Sequence, residues 1–219
     1  MARPGRGGRR EKRELLHVVC EGEGERVWFQ LLAERLNAGP GVGAGPEVKV
    51  ERGKKGDALV RFRKAEAGRR RTGRTGPWWV VTDTEPHDPA KHAKVWEAVD
   101  AAAEEDGCRL VLSHACFEVW LFCLLPGGRR VPNLHDAETH RRALSSASED
   151  AGWPPYDRKT DRAWLGRTLD RLGFGMEAAE ALRGSREKLR DPDGEDAPFS
   201  EVPGLVEDLQ EALSGRRPG

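Results

Sequence analysis

Short apolar runs alternate with amphipathic stretches over the first 128 residues of the chain. Runs rich in β-branched and aromatic residues are typical of buried strands, and four runs predict strands at 14–21, 47–51, 78–83 and 108–112. Apolar residues at helical spacing predict helices at 25–37, 57–70, 88–107 and 116–125. Because the two kinds of element alternate, we expect an α/β fold with a parallel sheet and helices on both faces.

The pattern changes after residue 128, where no clear strand follows. Polar segments with helical spacing predict helices around 135–150, 160–172, 175–190 and 202–214. A chain of 219 residues suits one domain with an appendage. We therefore predict three parts, which are a basic flexible tail at 1–13, an α/β core at 14–128 and a helical C-terminal extension at 129–219.

Two of the predicted strands end in acidic side chains, Glu21 after the first strand and Asp83 with Glu85 after the third. Ligands of open α/β sheets bind beyond the carboxyl ends of the strands, so neighbouring strands would bring these three carboxylates together. Crowded carboxylates repel one another unless a cation or a proton lies between them. The sequence therefore predicts that they bind a divalent metal, most simply Mg²⁺. Glu23 and Glu25 fit acids that complement the dipole of the next helix.

A further acid, Glu118, lies inside the apolar run 116–125. A lone charge in such a run is costly to bury without a partner. We therefore expect Glu118 either to face the cleft or to pair with a basic group. Ser113 and His114 end the preceding strand, on the same side of the sheet as the other acids, and are candidates for substrate contact.

Lys and Arg balance Asp and Glu at 37 each, so no net field attracts a polyanion. The charge is nevertheless segregated into basic blocks at 1–13 and 61–74. The first block is typical of a solvated tail. The second precedes the acidic third strand, which makes nucleic-acid contact as good an interpretation as a solvated face. Its candidate phosphate-binding residues are Arg69, Arg70, Arg71 and Arg74.

The four cysteines form no CxxC pair, and three lie in apolar segments. This spacing argues against a zinc site or a disulfide framework and favours buried, reduced thiols of a cytosolic protein. No apolar stretch approaches the ~18 residues that a membrane span needs, and no signal-peptide pattern follows the basic N-terminus. We therefore expect a soluble, cytoplasmic protein without membrane association, of undetermined oligomeric state.

Three short stretches resemble known sequence motifs, namely VVCEGE at 18–23, VVTDTE at 80–85 and SHACFEVWL at 113–121. The first two resemble the Toprim core of topoisomerases, primases and OLD-type nucleases. Together the three more closely resemble the RloB family of bacterial defence-associated proteins, over roughly residues 15–215. Tyr156 and Lys159 form a Tyr-x-x-Lys pair that also fits this family, although a surface pair is the simpler interpretation from the residues alone.

The resemblance implies a Toprim-like fold and a metal-dependent nuclease. Asp83 and Glu85 would hold Mg²⁺ or Mn²⁺, and Glu21 would be a metal ligand or a general acid or base. Glu118 would support the site together with Ser113 or His114, while Lys159 and the 61–74 block would contact substrate phosphates. It further implies anti-phage defence by abortive infection, beside a partner ATPase of the ABC or AAA type; this chain has no phosphate-binding loop of its own.

The chain departs from the family pattern at two motifs. The usual Asp-x-Asp is Asp83-Thr84-Glu85 here, and the added methylene changes the reach of the second carboxylate. The usual Ser-Asn-Pro is Ser113-His114-Ala115, which lacks the amide and the proline. Two other hypotheses therefore remain. The chain is either a non-catalytic module that uses its acids to bind metal or to dock an ATPase, or an enzyme acting on small nucleotides, which the two basic blocks disfavour.

Overall fold

A five-stranded sheet forms the centre of the computed structural model, in the order β2-β1-β3-β4-β5. Its strands are β1 (Leu15–Cys20), β2 (Glu47–Arg52), β3 (Trp78–Asp83), β4 (Cys108–His114) and β5 (Phe199–Ser200). The first four are parallel and confirm the four predicted strands. The structure describes residues 14–38, 46–53, 55–73, 76–127, 131–134, 136–182, 186–190 and 197–214. The predicted tail at 1–13 lies outside these residues.

Strand β5 corrects the expectation that no strand follows residue 128. It pairs antiparallel with the end of β4, where Ser200 lies opposite Ser113 and Phe199 opposite His114. With only two residues, β5 is too short to show the alternation from which a strand is predicted. The sheet is therefore mostly parallel, with one antiparallel edge strand.

Helices follow the strands as the periodicity predicted. They are α1 (Glu23–Asn37), α2 (Ala58–Thr72), α3 (Pro89–Ala103), α4 (Glu118–Cys123), α5 (Ala137–Asp150), α6 (Arg162–Leu169), α7 (Leu172–Glu180), α8 (Arg186–Arg190) and α9 (Val202–Leu213). The Asp57 carboxylate accepts the Val60 N–H and begins α2, and Asp88 caps α3 in the same way, because a side-chain oxygen satisfies an otherwise unpaired amide of the first turn. The prediction of one continuous helix over 175–190 is wrong, since α7 ends at Glu180 and α8 begins at Arg186.

The two faces of the sheet carry separate cores, because successive side chains of a strand point to opposite faces. Trp79 and Val81 of β3 pack in one core with α1 and the C-terminal helices. Trp78 and Val80 pack in the other core, with α2 and α3. Helices therefore cover both faces, as the alternation of elements predicted.

The C-terminal extension packs on the first of these cores. Trp164 belongs to the same buried cluster as Trp28, whose Nε1 donates to Thr168 Oγ1 at 2.8 Å. On the sheet edge, the Glu201 carboxylate accepts the Leu112 amide at 2.9 Å. The extension therefore shares the core of the N-terminal part, and this position lets it contribute to the carboxyl edge of the sheet.

All four cysteines are buried and unbridged, which confirms their expected state. Burial raises the pKa of each thiol above its ordinary value. Within the part of the chain that the structure describes, every helix is too short or too polar to cross a bilayer.

Candidate active site

Glu21 and Asp83 lie side by side at the carboxyl edge of the sheet, because β1 and β3 are hydrogen-bonded neighbours. The Glu21 amide continues the ladder by donating to Val81 O at 3.2 Å. Glu21 Oε2 then accepts hydrogen bonds from the Thr82 hydroxyl and from the Asp83 amide, the latter at 3.3 Å. The two strand ends therefore meet, as their acidic residues predicted.

Arg61 brings a buried cation to this edge from the first turn of α2. Its Nη2 lies 2.5 Å from Glu21 Oε2 and donates to Thr82 Oγ1 at 3.0 Å. Its Nη1 donates to Gly56 O at 2.5 Å. Because the arginine side chain is only 9% exposed, these contacts fix the guanidinium and hold the Glu21 carboxylate in place.

Asp83 is the electrostatic centre of the site. Its Oδ1 atom is buried and has no hydrogen-bond partner among the described residues. Burial raises the pKa of Asp83 well above its usual value, and the carboxylates of Glu25, Glu21 and Glu118 raise it further, whereas Lys159 lowers it. Four carboxylates from β1, α1, β3 and α4 therefore share one electrostatic environment.

Glu25 is the member of this cluster that the sequence interpretation assigned to the helix dipole. It is 4% exposed, and its Oε2 accepts the Gly22 amide at 3.0 Å in a capping box at the start of α1. Burial raises its pKa to about 8; the Gly22 amide acts in the opposite direction, and Glu21 and Glu118 add to the increase. No local sequence signal separates Glu25 from Glu23 in the same turn, because the burial of Glu25 depends on packing with the rest of the site.

Glu118 pairs with a base, as its position in an apolar run predicted, and that base is Lys159. The carboxylate is 3% exposed, and its Oε1 lies 3.3 Å from Lys159 Nζ. Burial works against the charge of the lysine, but Glu118 and Asp83 raise the pKa of Lys159 above its ordinary value. The C-terminal extension thus supplies a cation to the acids of the sheet edge.

Lys159 reaches the site through a close approach between two backbones. A Cβ on Gly24 would lie 3.0 Å from Lys159 O and 3.2 Å from Lys159 Cβ, so the first turn of α1 requires a glycine there. Nearby, Tyr156 is buried and packs against Trp164 with ring centroids 4.6 Å apart. The interpretation of a surface pair is therefore wrong for Tyr156, which is buried, whereas the Lys159 side chain is half exposed.

Ser113 and His114 lie behind the acids and are buried. The Ser113 hydroxyl is hydrogen-bonded to the Ser200 hydroxyl at 3.2 Å. His114 Nδ1 is hydrogen-bonded to Thr84 Oγ1 at 2.7 Å. These contacts join the ends of β3, β4 and β5, and both side chains are buried there. Their contact with a substrate stays a prediction.

Glu85 lines a small pocket with Glu21 and Asp83, and this pocket has a volume of about 190 Å³. Its backbone has φ of 45°, a left-handed conformation that glutamate rarely adopts. Its Oε2 lies 2.6 Å from Lys91 Nζ. The structure therefore brings the three predicted metal ligands to one pocket. Arg61 pairs with Glu21 there, and Lys91 pairs with Glu85.

The acids fit a divalent cation by their chemistry. Within the described ranges, no three His, Cys, Asp or Glu side chains are arranged as a metal-binding group. Glu21 and Glu85 are each held by a cation of the chain. The donors are carboxylate oxygens, which Mg²⁺ and Mn²⁺ prefer. The buried Asp83 Oδ1, without a hydrogen bond from any described residue, is an atom that a cation would satisfy.

The basic block lies mostly away from the acids. Arg70 pairs with Glu66 and Glu105, at 2.6 Å in each case, and Arg69 lies against Gly107 at the amino end of the sheet. Eight residues of helix separate Arg61 from Arg69, which is about 12 Å. Arg71 lines a separate groove, and Arg74 lies outside the described residues.

No curated protein and no solved structure matches the chain. The model of one protein family does match, and its description is RloB-like protein. The match covers residues 16–209, which include both acidic strand ends, Glu118 and Lys159. The chain therefore belongs to the RloB-like family.

Proposed function

We propose that this protein is a metal-dependent nuclease of the Toprim type, which hydrolyses phosphodiester bonds of DNA or RNA. The observation that carries the proposal is the buried Asp83 carboxylate, whose Oδ1 has no hydrogen bond from any described residue and whose pKa is raised by burial and by Glu25, Glu21 and Glu118. Such an accumulation of like charge costs folding free energy, and strongly shifted pKa values of this kind cluster at functional sites. Membership of the RloB-like family supports the same conclusion.

Glu21, Asp83 and Glu85 are the proposed ligands of Mg²⁺ or Mn²⁺, and Glu25 is a further candidate next to them. The chemistry that a bound metal supplies is activation of water and polarisation of the phosphoryl group. Arg61 and Lys91 hold Glu21 and Glu85 while the acids carry no metal, which limits repulsion between the carboxylates. The site is thereby kept assembled before metal and substrate bind.

Lys159 is the proposed contact to the reacting phosphate. Its side chain is 50% exposed, so a substrate can reach the ammonium group while Glu118 holds it from beneath. The raised pKa of Lys159 keeps the group charged at neutral pH. A fixed cation stabilises the negative charge that develops on a phosphoryl group during its transfer.

Glu25 is the proposed proton carrier of the site. With a pKa of about 8 it holds a proton at neutral pH, in the absence of metal. Because Oε2 accepts the Gly22 amide, the proton resides on Oε1, from which it can pass to a leaving oxygen. This role requires Glu25 to remain buried between the acids of β1 and β3.

Cleavage assays test the nuclease proposal directly. Wild type, Asp83→Asn and the control Asp106→Asn, an exposed aspartate in the turn before β4, would each be incubated with plasmid DNA, single-stranded DNA and total tRNA. Each substrate would be tested with Mg²⁺, Mn²⁺ or EDTA. We expect metal-dependent cleavage by wild type and control and none by Asp83→Asn. Cleavage in EDTA, or equal cleavage by Asp83→Asn, would overturn the proposal.

A non-catalytic module is the second candidate, and one observation favours it. Arg61 and Lys91 already neutralise two of the acids, as in a site that is structural. This candidate predicts that Asp83→Asn keeps the partner binding of the wild type. We also propose, from the resemblance, a role in anti-phage defence under the control of a partner ATPase. Protection of bacteria from phage that is lost with Asp83→Asn would support this role, and retained protection would oppose it.

A further inference from the structure

A basic groove opens beside the acid pocket, on the face of the sheet that carries α2. Its volume of about 560 Å³ lies within the usual range for ligand sites, about 300–1,000 Å³. One wall is the edge of β2 with Lys49 and Arg52, and the other is the flank of α2 with Lys64 and Arg71. This groove is separate from the acid pocket, and Arg61 lines both.

The charge of the groove is strongly positive. The described residues that line it include a single carboxylate, Glu51, whose partner is Lys49 at 3.0 Å. Arg52, Lys64 and Arg71 have no carboxylate within ion-pair distance among the described residues. Cations that no carboxylate of the chain neutralises favour an anionic ligand.

Small residues of α2 create the space in the groove. Ala65 and Gly68 face the sheet there, and a Cβ on Gly68 would lie 3.3 Å from the Trp78 ring. The floor is a stacked pair, His17 on Trp78, with ring centroids 3.9 Å apart and an interplanar angle of 2°. The Trp78 Nε1–H is buried and has no acceptor within the described part of the chain. Only 3% of His17 and 4% of Trp78 is exposed, so the pair forms the base of the groove and leaves ligand contact to the basic side chains around it.

The cations of α2 form a row that leads to the acids. Arg61 lies at the carboxyl edge of the sheet, Lys64 one turn further along the helix, and Arg71 near its end. Ten residues of helix separate Arg61 from Arg71, which is about 15 Å. A ligand that contacts the whole row must carry several negative charges along its length.

We propose that this groove binds a single strand of nucleic acid, with its phosphates on Arg52, Lys64 and Arg71. The strand then passes Arg61 and presents one phosphodiester to the acid pocket. An extended strand carries its phosphates in a line, which matches the row of cations along α2. The inference rests on the nuclease function proposed above and specifies the form of its substrate.

Binding of fluorescent oligonucleotides in EDTA tests the groove without catalysis. The groove variant is Lys64→Gln/Arg71→Gln, and the matched control is Lys94→Gln/Arg109→Gln, which removes the same charge from exposed side chains outside the groove. We expect the groove variant to bind single-stranded DNA or RNA about tenfold more weakly, with a salt slope reduced by about 1.4, because each phosphate contact on a single strand contributes about 0.7. The control is expected to bind like the wild type.

Separate DNA and RNA strands identify which polymer is preferred. The inference is overturned if both double variants bind alike, if a duplex binds more tightly than its single strand, or if a mononucleotide binds as tightly as the strand. Hydrolysis of bis(p-nitrophenyl) phosphate by wild type with Mn²⁺ reports on the acid pocket alone. Its absence would contradict the nuclease proposal, while groove binding in EDTA would still be measured independently.

Discussion

The ammonium group of Lys159 lies 3.3 Å from the carboxylate of Glu118, although the two residues belong to different parts of the chain. Glu118 begins α4 directly after the sheet edge, and Lys159 lies in the segment between α5 and α6. The pair is close to Asp83, whose pKa both residues influence in opposite directions. The C-terminal extension therefore completes a site whose acids come from the N-terminal part.

Replacing Lys159 should impair catalysis more than metal binding. Lys159→Met should lower kcat by roughly 10²-fold, a typical loss for one group that stabilises transition-state charge. Mn²⁺ affinity should be unchanged or higher, because a cation has been removed from the cluster. Steady-state cleavage and titration calorimetry measure the two effects, with Lys94→Met on the exposed face of α3 as control. An unchanged kcat would exclude Lys159 from the reaction.

Asp83→Asn should stabilise the metal-free protein. The substitution removes a carboxylate whose pKa is raised by burial and by three neighbouring acids, so it relieves repulsion in the folded state. Each unit of such a shift corresponds to about 1.4 kcal/mol. Urea unfolding in EDTA at pH 8 should give a higher free energy of unfolding than for wild type or Asp106→Asn. A lower value would mean that Asp83 stabilises the fold.

Stability without metal should fall as pH rises from about 4.5 to 8. The pKa of Glu25 is about 8 in the fold against 4.5 for an ordinary glutamate, so the folded state binds a proton that the unfolded state releases over this interval. Asp83 acts in the same direction. Unfolding by urea at pH 5 and pH 8 in EDTA measures the slope, and Glu25→Gln should reduce it. Equal slopes for the two proteins would contradict the assignment.

Arg61 should stabilise the site through its buried contacts with Glu21, Thr82 and the Gly56 carbonyl. Arg61→Gln should cost about 2 kcal/mol, as expected when a hydrogen-bonded charge loses its partner. The exposed Arg109, paired with Asp208, provides a control whose replacement should cost less than about 1 kcal/mol. In a double-mutant cycle with Glu21→Gln, the two losses should be less than additive. Full additivity would show that the pair is not coupled.

Local patterns of the sequence predicted the strands, most helix starts and the acidic strand ends. Asp57 and Asp88 cap helices where their positions indicated. Glu21 and Asp83 meet because adjacent parallel strands end at the same edge, a rule of topology that needs no side-chain detail. Such features depend on residues that are close in sequence or on the general geometry of a sheet.

The sequence alone could not predict which distant residues contact one another in the fold. The contact of Lys159 with Glu118 depends on how the extension folds back, and the burial of Glu25 depends on the same packing. Arg61 was one of many basic residues in its block, and its position in the first turn of α2 distinguishes it from Arg70. No periodic pattern carries this information, because it arises from the meeting of distant segments.

Calorimetric titration of the wild-type protein with Mn²⁺ tests the central claim, that Glu21, Asp83 and Glu85 form a metal site. At pH 7 we expect one binding event that releases protons, detected as a dependence of the enthalpy on the buffer, because the proposed ligand Asp83 has a pKa well above its usual value before metal binds. Asp83→Asn should abolish this event, and Asp106→Asn should retain it. An absence of Mn²⁺ binding to wild type, or equal binding to Asp83→Asn, would contradict the account.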